Sequence, residues 1–261
     1  MDQSALITGA ATRIGRAIAL NLAEQGVNVA VHYMNSKKEA EEVVDLAQSY
    51  GVKACALKAN LLDDVELREL IPNAVSVLKG TLNILVNNAS IFEYDNINTM
   101  SFESWERHIG SNLKAPSFLI QDFAKQVGEE SIDEEGESVP VANIVNIVDQ
   151  RVKKKTPEFF TYTLAKHGLW TLTQTAAQAL APRIKVNAIG PGPTLKGYRQ
   201  SKENFTKQRK NTILGRGSSA SEIVEALNFI LRTVSITGQL ICIDGGQHLV
   251  WKTADILGVE A

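Results

Sequence analysis

Short apolar segments alternate with amphipathic segments along most of the chain. The apolar segments, such as 4–8 (SALIT) and 184–189 (IKVNAI), have the length and composition of buried strands. Between them, segments such as 16–25 place apolar residues three or four positions apart, on one face of a helix. The expected strands are residues 4–8, 27–33, 52–57, 82–86, 141–148, 184–189 and 239–243, and the expected helices include residues 16–25, 38–50, 104–127 and 161–180.

This alternation predicts the fold class. Nearly continuous apolar strands between helices are typical of a parallel sheet that helices cover on both faces. Neither an internal repeat nor a linker rich in Pro, Gly or Ser divides the sequence. We therefore expect one α/β domain over residues 1–261, a Rossmann-type, doubly wound parallel sheet of about seven strands. Ligands bind at the carboxyl ends of such strands, so substrate-side segments are expected near 90–97, 150–160 and 191–215.

Composition narrows the classes of partner. The formal net charge is -2, which gives no basic excess for nucleic acid or an anionic membrane surface. No uncharged apolar run approaches the ~18–20 residues of a membrane helix, and the first residues lack a signal-peptide pattern. Cys55 and Cys242 lie in apolar segments, so we expect buried thiols and a cytoplasmic protein. No histidine stands at metal-ligand spacing, so no metal is expected, and residues 128–137 (GEESIDEEGE) are interpreted as an acidic surface loop.

The first strand runs directly into residues 8–15 (TGAATRIG) and then into a helix. Gly9 permits a tight turn, and Gly15 lets the helix approach the sheet closely. The free amides of the helix N-terminus suit a pyrophosphate, and the Arg13 guanidinium suits bidentate phosphate binding. This first turn therefore predicts a dinucleotide-binding site.

The end of the second strand indicates which dinucleotide binds. A domain specific for NAD usually offers a carboxylate to the ribose diol at this place. Here the sequence reads His32-Tyr33-Met34-Asn35-Ser36, without a carboxylate. Ser36, the backbone after Asn35, and Arg13 are available donors for a 2′-phosphate, which favours NADPH over NADH.

Tyr162 and Lys166 are spaced i, i+4 on an expected helix and therefore share one helix face. An ammonium near a phenol favours the phenolate, so the pair predicts a Tyr162 pKa below its usual value and a role in proton transfer. Asp149 stands thirteen residues before Tyr162, at the end of the fifth strand. The three side chains are candidate catalytic groups.

Together these motifs resemble the short-chain dehydrogenase/reductase family over essentially the whole chain. The resemblance is carried by residues 8–15, the Asn87-Asn88-Ala89 motif after the fourth strand and the Tyr162-x-x-x-Lys166 pair. Asn112 matches the family's helix asparagine, which supports a proton-relay water. Pro191-Gly192 resembles the turn that packs beside the nicotinamide.

A finer resemblance is to the pteridine reductase / dihydromonapterin reductase branch. The loop TGxxxRxG, the His32-Tyr33 pair with Ser36, and the segment NNASIF (87–92) are similar to that branch. The family's usual catalytic serine is replaced by Asp149, which resembles the branch's catalytic aspartate. The resemblance implies NADP(H) and a pterin or folate-like substrate, with catalytic Tyr162, Lys166, Asp149 and Asn112. Substrate would be held by Arg13, Ser90, Phe92, Asp149 and Tyr162, and cofactor by Gly9, Arg13, Ile14, Gly15, His32, Tyr33, Asn35, Ser36, Asn60, Leu61, Asn88, Ala89, Ser90, Tyr162, Lys166, Pro191 and Gly192.

Asp149 also favours a particular chemistry by itself. A carbonyl reductase produces an alkoxide, which a serine hydroxyl stabilises and an ionised carboxylate repels. Reduction of a ring C=N requires a proton on nitrogen, which a Tyr–Asp couple can supply. Two departures stand against the pteridine reductase pattern: Asn35 replaces an arginine at the 2′-phosphate, and Asn60 replaces an acid near the adenine.

Alternative functions remain open at this point. One is an NADPH-dependent carbonyl or quinone reductase that carries Asp149, and another is a nucleotide-binding protein without turnover. The partner is expected to be a small-molecule substrate. The apolar tail 247–261 contains Leu249, Val250, Trp251, Ile256 and Leu257 and must pack on another surface, so a homotetramer, usual in the family, is expected.

Overall fold

The computed structural model describes residues 3–197 and 200–253. Its central sheet has seven parallel strands in the order β3-β2-β1-β4-β7-β8-β9. These strands are β1 Ser4–Ile7, β2 Asn28–Tyr33, β3 Ala54–Lys58, β4 Ile84–Asn87, β7 Ala142–Ile147, β8 Ile184–Pro191 and β9 Leu240–Ile243, and a separate antiparallel hairpin consists of β5 Ser131–Ile132 and β6 Ser138–Val139.

Helices cover both faces of this sheet. One face packs against α1, α2 and α8, and the other against α3, α5 and α6. The expected Rossmann-type, doubly wound sheet is therefore confirmed. The helices are α1 Arg13–Glu24, α2 Lys37–Ser49, α3 Asp64–Leu78, α4 Phe102–Ile109, α5 Ala115–Gln126, α6 Phe160–Leu180, α7 Lys202–Lys210 and α8 Ala220–Arg232.

Strand β1 shows why its sequence is apolar throughout. Ala5 and Ile7 pack in the layer that contains α1, whereas Leu6 packs in the layer that contains α3. Successive side chains of a strand point to opposite faces, so a strand with helices on both sides needs apolar residues at every position.

Two regions differ from the expectation. The helix expected over 104–127 is divided by one π-helical turn, Gly110–Lys114, between α4 and α5. The acidic segment 128–137 is exposed, as expected, but it contains β5 and the turn to β6 instead of an irregular loop. The segment has a single apolar side chain, Ile132, among mostly acidic residues, so it gave no apolar strand signal.

Within the described residues, no helix has the length and apolar composition needed to cross a membrane. In the tail, Leu249 and Trp251 are exposed, while Ile256 and Leu257 lie outside the described residues.

The strand order fixes where a ligand site can form. The chain leaves β1 towards β3 on one side and returns to β4 on the other side. The loops after β1 and β4 therefore diverge at a topological switch point, which opens a crevice at the carboxyl ends of the strands.

Candidate active site

A cavity of about 720 Å³ lies at this crevice. Its walls are the loops that follow the strands, together with the start of α1 and one face of α6. Most of the residues expected in the site lie in the walls: Gly9, Arg13, Ile14, Gly15, His32, Asn35, Asn60, Leu61, Asn88, Ala89, Ser90, Phe92, Asp149, Tyr162, Lys166, Pro191 and Gly192.

Three expected residues are not in the walls. Tyr33 is 9% exposed and packs in the apolar layer with α1 and α2. Ser36 directly precedes α2, and its side chain makes no capping hydrogen bond. Asn112 is fully buried in the π-helical turn. Ser36 and Tyr33 had been expected at the cofactor, and neither borders this cavity.

Asp149 and Tyr162 form a direct couple. The Tyr162 hydroxyl donates a hydrogen bond to Asp149 Oδ2 at 2.9 Å. The other carboxylate oxygen, Oδ1, accepts the backbone N–H of Arg151 at 2.8 Å, which fixes the carboxylate. The sequence expectation that these side chains come together is met by the geometry.

Lys166 has a different environment from the expected one. The residue is 1% exposed, and its ammonium donates to the carbonyl oxygen of Ile147 at 2.8 Å. Burial lowers the pKa of Lys166 to about 8, against the opposing attraction of Asp149. The ammonium lies 5.7 Å from the centroid of the Tyr162 ring.

The acidity expected for Tyr162 is wrong. Burial, followed by the negative charge and the hydrogen bond of Asp149, raises the pKa of Tyr162 well above its usual value. Burial also raises the pKa of Asp149, although the hydrogen bond from Arg151 opposes that change. The sequence argument weighed only the ammonium and could not include burial or the carboxylate 2.9 Å away. The couple therefore retains a proton on the phenol.

Asn112 holds the loop after β4 in place. Its Nδ2 donates to Ile91 O at 2.9 Å, and its Oδ1 accepts Ile91 N–H at 2.9 Å. These two hydrogen bonds give the side-chain amide a structural role, and its support of a relay water stays a prediction.

The loop between β1 and α1 is closely packed. Gly9 has φ +61°, a conformation that favours glycine. A Cβ at Gly15 would lie 2.2 Å from Gly9 O, so only glycine fits there. The side chain of Thr12 does not cap α1, and the first turn contains no acidic residue. The N-terminal amides and this tight loop fit the pyrophosphate of a dinucleotide.

Hydrogen bonds with the side chains of His32 and Asn88 hold this loop in place. The Gly9 N–H donates to Nδ1 of His32 at 3.0 Å, and Nε2 lies 3.0 Å from Ala59 O. Nδ2 of Asn88 donates to Thr8 O at 2.9 Å. Burial lowers the pKa of His32 to about 4, so its ring stays neutral and can accept from Gly9. Both side chains hold the loop, and both also line the cavity, where the sequence predicts contact with the cofactor.

Arg13 connects the two sides of the crevice. It has φ +56°, and its guanidinium donates to Leu195 O at 3.1 Å and to Lys196 O at 2.9 Å. Asn35 is exposed at the cavity wall. Asn60 uses its Oδ1 to accept Leu62 N–H at 3.1 Å.

Aromatic rings pack at the cavity, next to the Asp149–Tyr162 couple. Phe92 stacks on Phe159 with ring centroids 4.3 Å apart. Phe92 and Tyr162 form a T-shaped pair with ring centroids 4.7 Å apart. The guanidinium carbon of Arg151 lies 4.8 Å from the Phe159 ring centroid. Phe92 remains 52% exposed. Residues 87–92 and 150–160 thus meet beside the Asp149–Tyr162 couple.

Comparisons with known proteins identify the family to which this chain belongs. A family model described as Enoyl-(Acyl carrier protein) reductase matches residues 9–248. The 3-oxoacyl-[acyl-carrier-protein] reductase FabG of Staphylococcus epidermidis is 35% identical over 254 residues, 95% of this chain and 100% of the relative. The chain belongs to the short-chain dehydrogenase/reductase family.

Other relatives and solved structures of the short-chain dehydrogenase/reductase family are similar over similar lengths. L-rhamnose 1-dehydrogenase (NADP(+)) of Thermoplasma acidophilum is 32% identical and covers 94% of this chain and 96% of its own length. FolM alternative dihydrofolate reductase 1 of Brucella suis, solved with NADP, is 42% identical with a TM-score of 0.90, covering 97% of this chain and 98% of its own. A Burkholderia cenocepacia short chain dehydrogenase with NADP is 27% identical with a TM-score of 0.84, covering 94% and 97%.

The sequence placed segment 150–160 at the substrate side of the site, but it singled out neither Phe159 nor Arg151. The aromatic stack joins Phe92 to a residue 67 positions later, just before α6. No local spacing signals such a contact. The only available signal was the position of segment 150–160 after a parallel strand, at the ligand-binding edge.

Proposed function

We propose that this short-chain reductase uses NADP(H) to reduce a C=N bond of a pterin, a dihydropterin or a folate-like substrate. The observation that carries the proposal is the hydrogen bond from Tyr162 to Asp149, 2.9 Å long, at the edge of the cofactor crevice. In the wider family a serine usually occupies this place.

The carboxylate suits nitrogen better than an alkoxide. Reduction of a carbonyl develops negative charge on oxygen, which an ionised Asp149 would repel. Reduction of an imine leaves a nitrogen that needs a proton. Tyr162 carries that proton, and Asp149, which is partly accessible from the cavity, can return one from solvent. The couple therefore favours a C=N substrate.

The similar structures support both parts of the proposal. Two proteins described as FolM alternative dihydrofolate reductase 1, from Brucella suis and Brucella canis, are each 42% identical to this chain and contain NADP. The absence of a carboxylate after β2 agrees with a phosphorylated ribose, with Asn35 exposed beside it.

In this mechanism, NADPH would supply hydride to the ring carbon of the substrate when bound. The α1 N-terminus and Arg13 would hold its phosphates, and Pro191 and Gly192, which line the cavity, would form the wall beside its nicotinamide. The Tyr162 hydroxyl gives its proton to the adjacent substrate nitrogen. Lys166 would hold the cofactor ribose, and its ammonium offsets the negative charge left on Tyr162 and Asp149.

The aromatic stack positions the planar substrate. One face of Phe92 contacts Phe159, so the substrate uses the remaining exposed surface of Phe92. The side chain of Ser90 interacts with the Tyr162 hydroxyl, which is the proton donor, and orients this hydroxyl towards the substrate ring. Aromatic stacking of this kind gives affinity without requiring charge.

An activity panel tests the proposal. We expect the wild-type protein to oxidise NADPH with a dihydropterin or dihydrofolate, and much more slowly with a diketone or a quinone. Tyr162→Phe removes only the proton donor, so turnover should fall by about 100- to 10,000-fold with NADPH affinity retained. The proposal is rejected if pterins and folates are inert while a diketone is reduced rapidly, or if Tyr162→Phe keeps normal turnover.

A second candidate is a carbonyl reductase. It is favoured by the FabG relatives, which are 35% identical to the chain over 95% of its length. Burial raises the pKa of Asp149, and a protonated Asp149 would donate to an oxyanion as a serine does. The same panel distinguishes this candidate, because it predicts rapid reduction of the diketone.

A further inference from the structure

Three buried polar side chains near Tyr162 connect parts of the chain that are far apart in sequence. Asp95 belongs to segment 90–97, His108 to α4 and Thr161 to the first turn of α6, and these side chains are 2%, 0% and 0% exposed. The Thr161 hydroxyl donates to Asp95 Oδ2, and Nδ1 of His108 lies 2.7 Å from Thr161 Oγ1. None of the three borders the cavity.

The hydrogen bonds of this cluster have only one consistent direction. The backbone N–H of Glu93 donates to Nε2 of His108 at 3.1 Å. An amide can only donate, so Nε2 is unprotonated and the neutral ring carries its proton on Nδ1. That N–H donates to Thr161 Oγ1, and the Thr161 hydroxyl must therefore donate onward to Asp95.

The charge states agree with this direction. Burial lowers the pKa of His108, which outweighs the opposing attraction of Asp95 and Glu93. Burial opposes ionisation of Asp95, but hydrogen bonds from Thr161 and Ser104 together lower its pKa. The cluster thus has a neutral imidazole at one end and an ionised acceptor at the other.

The cluster also anchors the backbone near the catalytic groups. Asp95 Oδ1 accepts the Thr161 N–H at 3.1 Å, and Asp95 O accepts the Phe160 N–H at 3.2 Å. His108 faces the Tyr162 ring edge with centroids 6.1 Å apart. Segment 90–97 is therefore attached both to α4 and to the first turn of α6.

We propose that Asp95, Thr161 and His108 form a directional relay that positions segment 90–97 for the substrate. They are positioning residues and act through Phe92, which contacts Tyr162 edge-on at 4.7 Å. Tyr162 also has its own hydrogen bond to Asp149, which lies outside the relay. Loosening the relay therefore weakens substrate binding more than it slows proton transfer. This inference rests on the proposed function for the identity of the substrate.

Asp95→Asn tests the direction of the relay. Asparagine has the shape of aspartate, but one of its two terminal groups is an NH2 donor. That NH2 must face either the hydroxyl or the backbone N–H of Thr161, both of which donate to Asp95 in the wild type. A donor at the hydroxyl reverses the relay, and His108 then carries its proton on Nε2, against Glu93 N–H. Nitrogen NMR of histidine-labelled protein should show the Nδ1–H tautomer in the wild type, and its loss in Asp95→Asn when the new amide donor faces the hydroxyl. We expect the KM of dihydropterin to rise about tenfold, with little change in kcat or NADPH affinity.

A matched pair of variants at Thr161 provides the control. Thr161→Val removes the hydroxyl and should raise KM as Asp95→Asn does, whereas Thr161→Ser keeps it and should restore wild-type KM and tautomer. Thermal melting checks that each variant is folded. If Asp95→Asn does not fold, the two Thr161 variants alone decide whether the relay exists. An Nε2–H tautomer in the wild type overturns the relay, as does unchanged KM in folded Thr161→Val. If the wild type reduces no pterin, the proposed function fails, and the tautomer measurements still decide the relay.

Discussion

The carboxylate of Asp149 accepts the hydrogen bond of the Tyr162 hydroxyl directly, and burial raises the pKa of both groups. A buried carboxylate near a phenol keeps that phenol protonated, so the couple is a proton donor before it is a base. The identity of both residues and their proximity followed from the sequence. The protonation state did not, because it depends on how deeply Tyr162 is buried and on the charge and hydrogen bond of Asp149.

His32 illustrates the same limit at the residue scale. The sequence placed His32 at the end of the second strand. It did not reveal the partners of the ring, Gly9 and Ala59, because these follow two other strands. The structure therefore makes it a support of the cofactor loop. The charge of this one ring should affect the stability of the whole protein.

The unfolding free energy should show this effect at acidic pH. The folded state keeps His32 neutral down to about pH 4, whereas the unfolded chain binds a proton below its ordinary pKa of 6.5. Stability from His32 is therefore present above pH 6.5 and lost as the pH falls towards 4, by about 3 kcal/mol.

Denaturant titrations of wild type and His32→Gln measure this difference. Gln cannot be protonated, so the stability advantage of the wild type should shrink by about 3 kcal/mol between pH 7 and pH 4. A constant difference between the two proteins over this range would contradict the neutral, loop-supporting ring.

At the scale of elements, the alternation of apolar and amphipathic segments was sufficient to predict the strands, their parallel arrangement and the helix that carries Tyr162. It could not predict the π-helical turn Gly110–Lys114, because the apolar period continues through it. The extra residue per turn places Asn112 against Ile91, a contact between α4–α5 and the β4 loop. Such long-range contacts leave no local pattern.

The junction of β1 and α1 gives a prediction at this scale. Gly15→Ala places a Cβ 2.2 Å from Gly9 O, and the loop must move to accept it. Overpacking of this kind costs about 1–3 kcal/mol, so the Kd of NADPH should rise roughly 10- to 100-fold. Fluorescence titration with NADPH measures the change.

Gly80→Ala is the matched control for this experiment. Gly80 has open space at the position of a Cβ, and the same substitution there touches nothing within 4 Å. Its NADPH affinity should equal that of the wild type. Normal affinity in Gly15→Ala would show that this loop does not hold the cofactor phosphates.

At the scale of the whole molecule, the cofactor half and the substrate half of the cavity differ in how much the sequence revealed. In the proposed cofactor half, the consecutive residues after β1 form a motif that was readable from the sequence. The proposed substrate half combines Phe92 from the loop after β4 with Phe159 and Arg151 from the loop after β7, so its shape required the fold. A single domain and a homotetramer stay predictions, the latter consistent with exposed Leu249 and Trp251.

The most direct test of the account is the substrate preference of Asp149→Ser. This variant replaces the partner of Tyr162 by the residue usual in the wider family, while Tyr162 and Lys166 remain. The measurement is the ratio of kcat/KM for a dihydropterin to that for a diketone, in wild type and variant. We expect the ratio to fall by about 100-fold or more, mainly through loss of pterin reduction. An unchanged ratio, with both activities retained, would contradict the claim that the Asp149–Tyr162 couple selects a C=N bond.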